Sequence, residues 1–171
     1  GAGVDTISMT STSADAYDTN ENFKNAISGF ERLEINNVYT GGTADTAETL
    51  TLDLANLGFT SYVITSGTLV DASAPATQSD ILKLTKLAAN ATVLLTAEGY
   101  IEAVLATATG TADVINVIVD ATNTTTNAGT FTVADVETVK ITAKGEFLDD
   151  GVTVGSTAND GIDDTGSDIA T

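Results

Sequence analysis

Six aspartates are the residues of this sequence whose side chains could do chemistry, because carboxylate oxygens are among the ligands that calcium prefers. Three of the six follow a turn of small polar residues, precede a strand-like run and recur at similar intervals along the chain. A calcium ion takes about six to eight oxygens, which neighbouring turns could supply together with threonine hydroxyls and backbone carbonyls. The repeated class is Asp45, Asp80 and Asp113, and the further predicted ligands are Asp5, Asp120 and Asp135, with Glu137 as an additional candidate. The alternative for each is a solvated carboxylate or a residue that caps its own turn.

The composition removes most other kinds of site. The 171 residues include no His and no Cys, so the commonest general base, the commonest transition-metal ligand and any disulfide are absent. The 24 acidic residues against 6 basic ones give a net charge of −18, which repels nucleic acid and anionic membrane surfaces. We therefore predict a chain that is not an enzyme, has Ca2+ as its cofactor and binds no nucleic acid. We predict no membrane insertion either, because no apolar run reaches the roughly 18 residues that a span requires.

The strand pattern is clearest in residues 106–142. Ile115, Val117 and Val119 alternate with other residues, and Phe131 and Val133 do the same, so each run can turn one apolar face to a core. Threonine is frequent between them and suits a pleated, half-exposed surface. Similar runs elsewhere predict about ten short strands, and the clearest of these contains Leu50, Leu52 and Leu54. The polar stretch 11–22 is predicted to be a short helix or a long loop.

The connections between these strands bear on the architecture. They are polar and irregular, and they mostly lack the Asn-Gly or Asp-Gly pair of a tight hairpin. We therefore predict an all-β fold, a parallel β-solenoid of short strands joined by Thr-, Asp- and Gly-rich turns, with an antiparallel β-sandwich as the alternative. Residues 1–148 form this domain, and residues 149–171 form an acidic tail or linker. The N-terminal segment shows no secretion signal and favours a processed or excised piece of a longer chain.

An internal similarity supports repeated units. Residues 28–35, SGFERLEI, resemble residues 134–141, ADVETVKI, and more weakly residues 57–64, LGFTSYVI. A repeat of this kind would bury the apolar face of each unit on the next. The alternative is chance recurrence in a chain rich in threonine and alanine.

Two segments resemble known families. LATATGTADV at residues 105–114, followed by NAGT at 127–130 and VETVKI at 136–141, resembles the C-terminal lattice region of S-layer proteins of the Caulobacter type. GAGVDTI at residues 1–7 is similar to the second half of the calcium-binding nonapeptide of RTX proteins, with Asp5 and Ile7 at the expected positions. It departs from that pattern because the leading glycine and a neighbouring copy are missing.

The resemblance implies a type I-secreted, calcium-dependent structural protein at the bacterial cell surface, whose β-solenoid subunits form an S-layer. The expected partners are further copies in a lattice or filament, calcium ions and a cell-surface polysaccharide. Two other classes stay open at this point. One is a calcium-stabilised adhesin module of a large secreted protein, and the other is an enzyme built on a β-helix, for which the scattered basic residues offer no catalytic cluster.

Overall fold

The computed structural model describes residues 3–42, 46–68, 80–120, 130–134, 136–144, 153–155 and 161–164 of the chain. Residues 143, 153–155 and 161–164 are described here only as strand backbone. The elements within these ranges are, in chain order, β1 Thr6–Met9, α1 Ser11–Tyr17, α2 Asn22–Ala26, β2 Arg32–Ile35, β3 Thr49–Asp53, α3 Leu54–Leu57, β4 Tyr62–Thr65, β5 Ile81–Leu87, β6 Thr92–Leu95, β7 Tyr100–Leu105, β8 Val114–Val119, β9 Thr130–Val133, β10 Thr138–Ala143, β11 Thr153–Gly155 and β12 Gly161–Asp164.

The strands form two parallel sheets. Counting the described strands, the first sheet has seven in the order β1-β2-β4-β6-β8-β10-β12, and the second has five in the order β11-β9-β7-β5-β3. From β3 onward, successive strands alternate between the two sheets, so each sheet grows by one strand at its end. Every strand pair among the described residues is parallel, so the alternative of an antiparallel sandwich is wrong. The all-β class is not supported either, because three short helices accompany the strands within the described ranges.

A row of aliphatic side chains crosses the first sheet from strand to strand. Parallel register places equivalent residues side by side, and the residues between them along each strand face outward. The row is Ile7, Leu33, Val63, Val93, Val117 and Ile141. From Leu33 to Ile141 its members have no exposed surface. Burying each such side chain contributes about 1.5–3 kcal/mol, so this row is a main source of stability.

The second sheet supplies the other side of the same core. Leu82, Ile101 and Phe131 are register neighbours on β5, β7 and β9, and all three are buried. The alternation predicted for β8 and β9 is confirmed, since Ile115, Val117 and Val119 are buried, as are Phe131 and Val133.

The predicted strand through Leu54 ends one residue earlier than the alternation suggests. Asp53 closes β3 and caps helix α3, because its carboxylate accepts the backbone N–H groups of Ala55 and Asn56 at 3.0 and 3.1 Å. Gly58 ends the helix in the left-handed conformation, with φ +89°. Leu54 is nevertheless fully buried. It packs into the core from the first position of helix α3 and not from a strand.

Helix α1 occupies the polar stretch for which a helix or a loop was predicted. Thr10 caps its first turn by accepting the Ser13 N–H. The helix packs against β3, and the carboxylate of Asp18, just after its end, accepts the Asp53 N–H at 2.8 Å. The edge of the second sheet at β3 is thus partly covered by α1.

Two glycines allow the chain to turn from the first sheet toward the second. Gly67 has a φ of +88°, and a Cβ there would clash with the carbonyl oxygen of Glu98 on the neighbouring turn. A Cβ on Gly99 would meet the backbone of Gly67 and Thr68 in the same way. Buried threonine hydroxyls complete this corner, since the hydroxyl of Thr68 accepts the Tyr100 N–H at 2.7 Å.

The strands β11 and β12 lie within the predicted acidic tail, where they pair with β9 and β10. The division of the chain at residue 148 stays a prediction. Within the described ranges, no helix has the length and apolar character that crossing a membrane requires.

Substituting Gly67→Ala should lower the free energy of unfolding by about 2 kcal/mol, because the new side chain combines a strained φ with a backbone clash. Denaturant unfolding followed by circular dichroism measures this loss. The matched control is Gly3→Ala, which adds a methyl group where nothing lies within 4 Å and should change stability by less than about 0.5 kcal/mol. Equal effects of the two substitutions would contradict the packed corner.

Candidate functional site

The structure separates the predicted calcium ligands. Asp45 and Asp135 lie outside the described residues. Asp80 immediately precedes β5 in the second sheet, whereas Asp113 immediately precedes β8 in the first, so their similar spacing does not make them equivalent. Metal binding by any of the six stays a prediction. The described carboxylates contact the groups that follow.

Asp80 is the most deeply placed of the described candidates, with 6% of its surface exposed. Its carboxylate accepts the backbone N–H of Gly41 at 2.6 Å and that of Glu48 at 3.1 Å. Glu48 in turn accepts the Gly42 N–H through its side chain and the Ile81 N–H through its backbone carbonyl, the latter at 2.8 Å. Two carboxylates therefore hold one turn, and a Cβ on Gly41 would meet both of them.

A polar cavity of about 240 Å³ lies next to this turn. It is lined by Ser11, Thr12, Asp15, Asn37, Tyr39, Thr40, Gly41, Gly42 and Leu50. Burial raises the pKa of the Tyr39 hydroxyl above its ordinary value of 10.0, and the negative charges of Asp80, Glu48 and Asp15 raise it further. The cavity thus lies in a field of negative charge, which favours a neutral phenol over a phenolate.

The pair formed by Asp113 and Glu137 holds together two strands of the first sheet. Glu137 accepts the Asp113 N–H at 2.7 Å, and the Asp113 carbonyl accepts the Thr138 N–H at 3.1 Å. The Asp113 carboxylate accepts the Gly110 N–H at 3.1 Å, so it caps its own turn. This is the alternative role considered for the predicted ligands.

The same arrangement occurs at the other end of that sheet. Glu31 accepts the Asp5 N–H at 2.7 Å, and the Asp5 carbonyl accepts the N–H groups of Glu31 and Arg32. Glu31 and Glu137 are matched residues of the internal similarity between segments 28–35 and 134–141. The similarity therefore reflects one interaction that occurs twice: a glutamate carboxylate accepts the backbone N–H of the residue that precedes the neighbouring strand.

Segment 57–64, the weaker third copy of the internal similarity, is shifted by one residue in the sheet relative to the sequence match. The letters of segments 28–35 and 57–64 match Leu33 with Tyr62, but the sheet register pairs Leu33 with Val63. Arg32 instead lies over the Tyr62 ring at 4.2 Å from its centre. This segment repeats the glycine turn without the glutamate, because Thr60 stands at the matching position.

Asp120, at the end of β8, has a cation as its partner. The ammonium group of Lys144 lies 3.6 Å from its carboxylate, and both side chains are largely exposed. Across the part of the chain that the structure describes, no group of three or more His, Cys, Asp or Glu side chains is placed to hold a metal ion. Of the described candidates, Asp80 and Asp113 accept backbone N–H groups through their carboxylates, and Asp120 lies beside a lysine. Glu31 and Glu48, which were not predicted, also accept backbone N–H groups.

Comparison with known protein families, curated proteins and solved structures finds no match for this chain. The resemblance to Caulobacter-type S-layer proteins thus stays a prediction.

Replacing Asp80 by alanine should lower the free energy of unfolding by at least about 2 kcal/mol, since two N–H groups in a half-buried turn lose their acceptor. The loss should be equal in excess calcium and in chelator. Asp120→Ala is the control, and it should cost less than about 1 kcal/mol because it removes an exposed ion pair. An effect of Asp80→Ala that appears only with calcium would assign this carboxylate to a metal site instead.

The raised pKa of Tyr39 predicts a pH dependence at the alkaline end. Above pH 10 the unfolded chain loses this proton first, so the folded state binds more protons and stability falls as pH rises toward the folded pKa. Tyr39→Phe should remove this contribution and flatten the decline in unfolding free energy above pH 10. Tyr17→Phe serves as the matched control, because it makes the same substitution at an exposed ring and leaves Tyr39 in place. Identical slopes for wild type and Tyr39→Phe would refute the assignment.

Proposed function

We propose that this chain is a structural subunit of an extracellular surface polymer and that its two sheets form a β-solenoid. The observation that supports the solenoid is the alternation of parallel strands between two sheets around one core. In such a stack each turn of the chain contacts only its neighbours, so further turns can be added at an end. The extracellular bacterial location and the S-layer assignment rest on the sequence resemblance.

The edge at β1 is the proposed contact for another copy. The backbone carbonyls of Asp5 and Met9 accept N–H groups of the β2 segment, so Asp5, Ile7 and Met9 direct their backbone groups to β2. The intervening residues, Thr6 and Ser8, direct theirs to the open side of the sheet. Among the described strands β1 has no other partner, and an unpaired edge can receive a further strand.

Burial along the core row points to the same edge. Leu33 and Ile35 on β2 have no exposed surface, whereas their register neighbours Ile7 and Met9 on β1 are only partly buried. A strand added beside β1 would cover these two side chains, and the apolar surface removed from water would favour association.

The opposite edge explains why a cation is included in the proposal. Strand β12, residues 161–164, forms this edge among the described strands. Copies that meet head to tail, β12 of one against β1 of the next, each carry a net charge of −18, and their carboxylates repel when brought together. A divalent cation between the carboxylates would convert this repulsion into attraction, so we propose that calcium promotes assembly.

The rival functions have less support. The adhesin hypothesis depended on an antiparallel sandwich, and the described strand pairs are parallel. Catalysis by paired carboxylates would need them free to exchange protons with a substrate, but Asp80 and Glu48 both bind backbone N–H groups.

Thr6→Pro tests the assembly edge. Proline removes an N–H that faces the open side, so folding should be preserved while self-association is lost. Light scattering and electron microscopy of concentrated protein, in calcium, in magnesium and in chelator, measure the assembly. We expect filaments or sheets of the wild type in calcium and dispersed particles for Thr6→Pro.

Ile7→Pro is the matched control, because the same ring at the next residue disrupts the β1 and β2 pairing and should lower the melting temperature. Dispersed wild-type particles under all three conditions would refute the polymer. Assembly of Thr6→Pro equal to that of the wild type would refute the role of this edge.

A further inference from the structure

A shallow cavity of about 340 Å³ lies on the outer face of the second sheet, and it shares no lining residue with the polar cavity. Its walls come from three neighbouring strands, β5, β7 and β9, whose register brings two rows of outward residues together. The first row is Ile81, Tyr100 and Thr130, and the second is Lys83, Glu102 and Thr132. The lining consists of Ile81, Tyr100, Ile101, Glu102, Thr130 and Thr132. We call this surface the outer groove.

The outer groove has a rigid base. Ile101, which belongs to the lining, and Phe131 lie between the outward residues of β7 and β9 and are buried in the core at 3% and 0% exposure. The Tyr100 N–H donates to the Thr68 hydroxyl at 2.7 Å, and the Thr130 N–H donates to the Gly99 carbonyl at 2.8 Å. Because the strands carrying the groove are fixed from behind, a ligand would meet a preformed surface with little ordering cost.

The chemistry of the outer groove is mixed. The Tyr100 ring, the Ile81 side chain and the threonine methyl groups provide apolar contact, while two threonine hydroxyls and a carboxylate can form hydrogen bonds. Ligand pockets commonly combine an apolar lining with a few placed polar groups, at volumes from about 300 Å³ upward. A sugar ring presents the matching surface, since its C–H face packs on an aromatic ring while its hydroxyls donate and accept.

Charge narrows the class of ligand. The Lys83 ammonium lies 2.7 Å from the Glu102 carboxylate, so the two charges beside the groove neutralise each other. An anionic ligand would meet a chain of net charge −18 with this lysine already paired. A purely apolar ligand would cover the half-exposed ion pair and the hydroxyls without replacing their hydrogen bonds to water, which is costly.

We infer that the outer groove binds a neutral saccharide, with Tyr100 packing against the sugar ring and Thr130 and Thr132 binding its hydroxyls. This binding is independent of polymer formation, because the groove lies on the second sheet and the proposed assembly edge lies on the first. A failure of one proposal therefore leaves the other intact.

The test is saturation-transfer NMR of the full chain with neutral oligosaccharides of glucose, galactose, mannose and N-acetylglucosamine, and with oligogalacturonate as the anionic comparison. Isothermal titration calorimetry gives the affinity of the wild type and of each variant. We expect binding of at least one neutral oligosaccharide. Tyr100→Ala should weaken it about tenfold or more through loss of the stacking ring, and Thr132→Val about fivefold through loss of one hydroxyl.

The matched control is Tyr62→Ala, which removes an outward tyrosine from the first sheet and should leave saccharide affinity unchanged. Thr132→Val keeps the size and shape of an exposed side chain, so it tests the groove even if Tyr100→Ala folds poorly. Binding that survives both groove substitutions, preference for oligogalacturonate, or no response to any neutral saccharide in the panel would each overturn the inference.

Discussion

The shared core between the two sheets is the constraint on which the rest of this structure depends. The described strands have three to seven residues and are too short to be stable alone, and each gains its burial only from the strands beside it and from the opposite sheet. Leu33, Val63 and Val93 therefore stabilise one another as a continuous row. The corner at Gly67 and Gly99 serves this row, because the chain must turn sharply to supply the second sheet without interrupting the first.

Several acidic side chains of this chain have a structural role, which is to accept backbone N–H groups at turns. Asp80 and Glu48 hold one turn, and Glu31 and Glu137 bind the N–H groups before neighbouring strands, so these carboxylates satisfy backbone donors that the turns leave unpaired. Such bonds stabilise the turns, but the net charge of −18 still opposes contact between copies. This conflict between internal stability and external repulsion is the physical reason that assembly is proposed to depend on a bridging cation.

Period-2 alternation predicted the strands well because inward and outward residues differ in burial, as Ile115, Val117 and Val119 show. The match between Glu31 and Glu137 also reflected real structure. The helix at Leu54 was missed because Asp53 can end a strand and cap a helix with the same side chain. The similar spacing of Asp45, Asp80 and Asp113 does not put Asp80 and Asp113 in equivalent positions, because the two sheets interleave along the chain and these two residues precede strands of different sheets. The roles of Gly67 and Gly99 were missed, because only the φ angle of Gly67 and the close backbone packing at both residues reveal the corner.

Methyl NOE spectroscopy of the full chain tests the central claim, parallel stacking around one core, most directly. The account predicts strong contacts that link the methyl groups of Leu33, Val63, Val93 and Val117 in that order, since neighbouring strands lie about 4.8 Å apart. It also predicts contacts between this row and the buried residues of the second sheet. Close Hα to Hα contacts between β4 and β6, the mark of antiparallel pairing, or a break in the order of the row would contradict it.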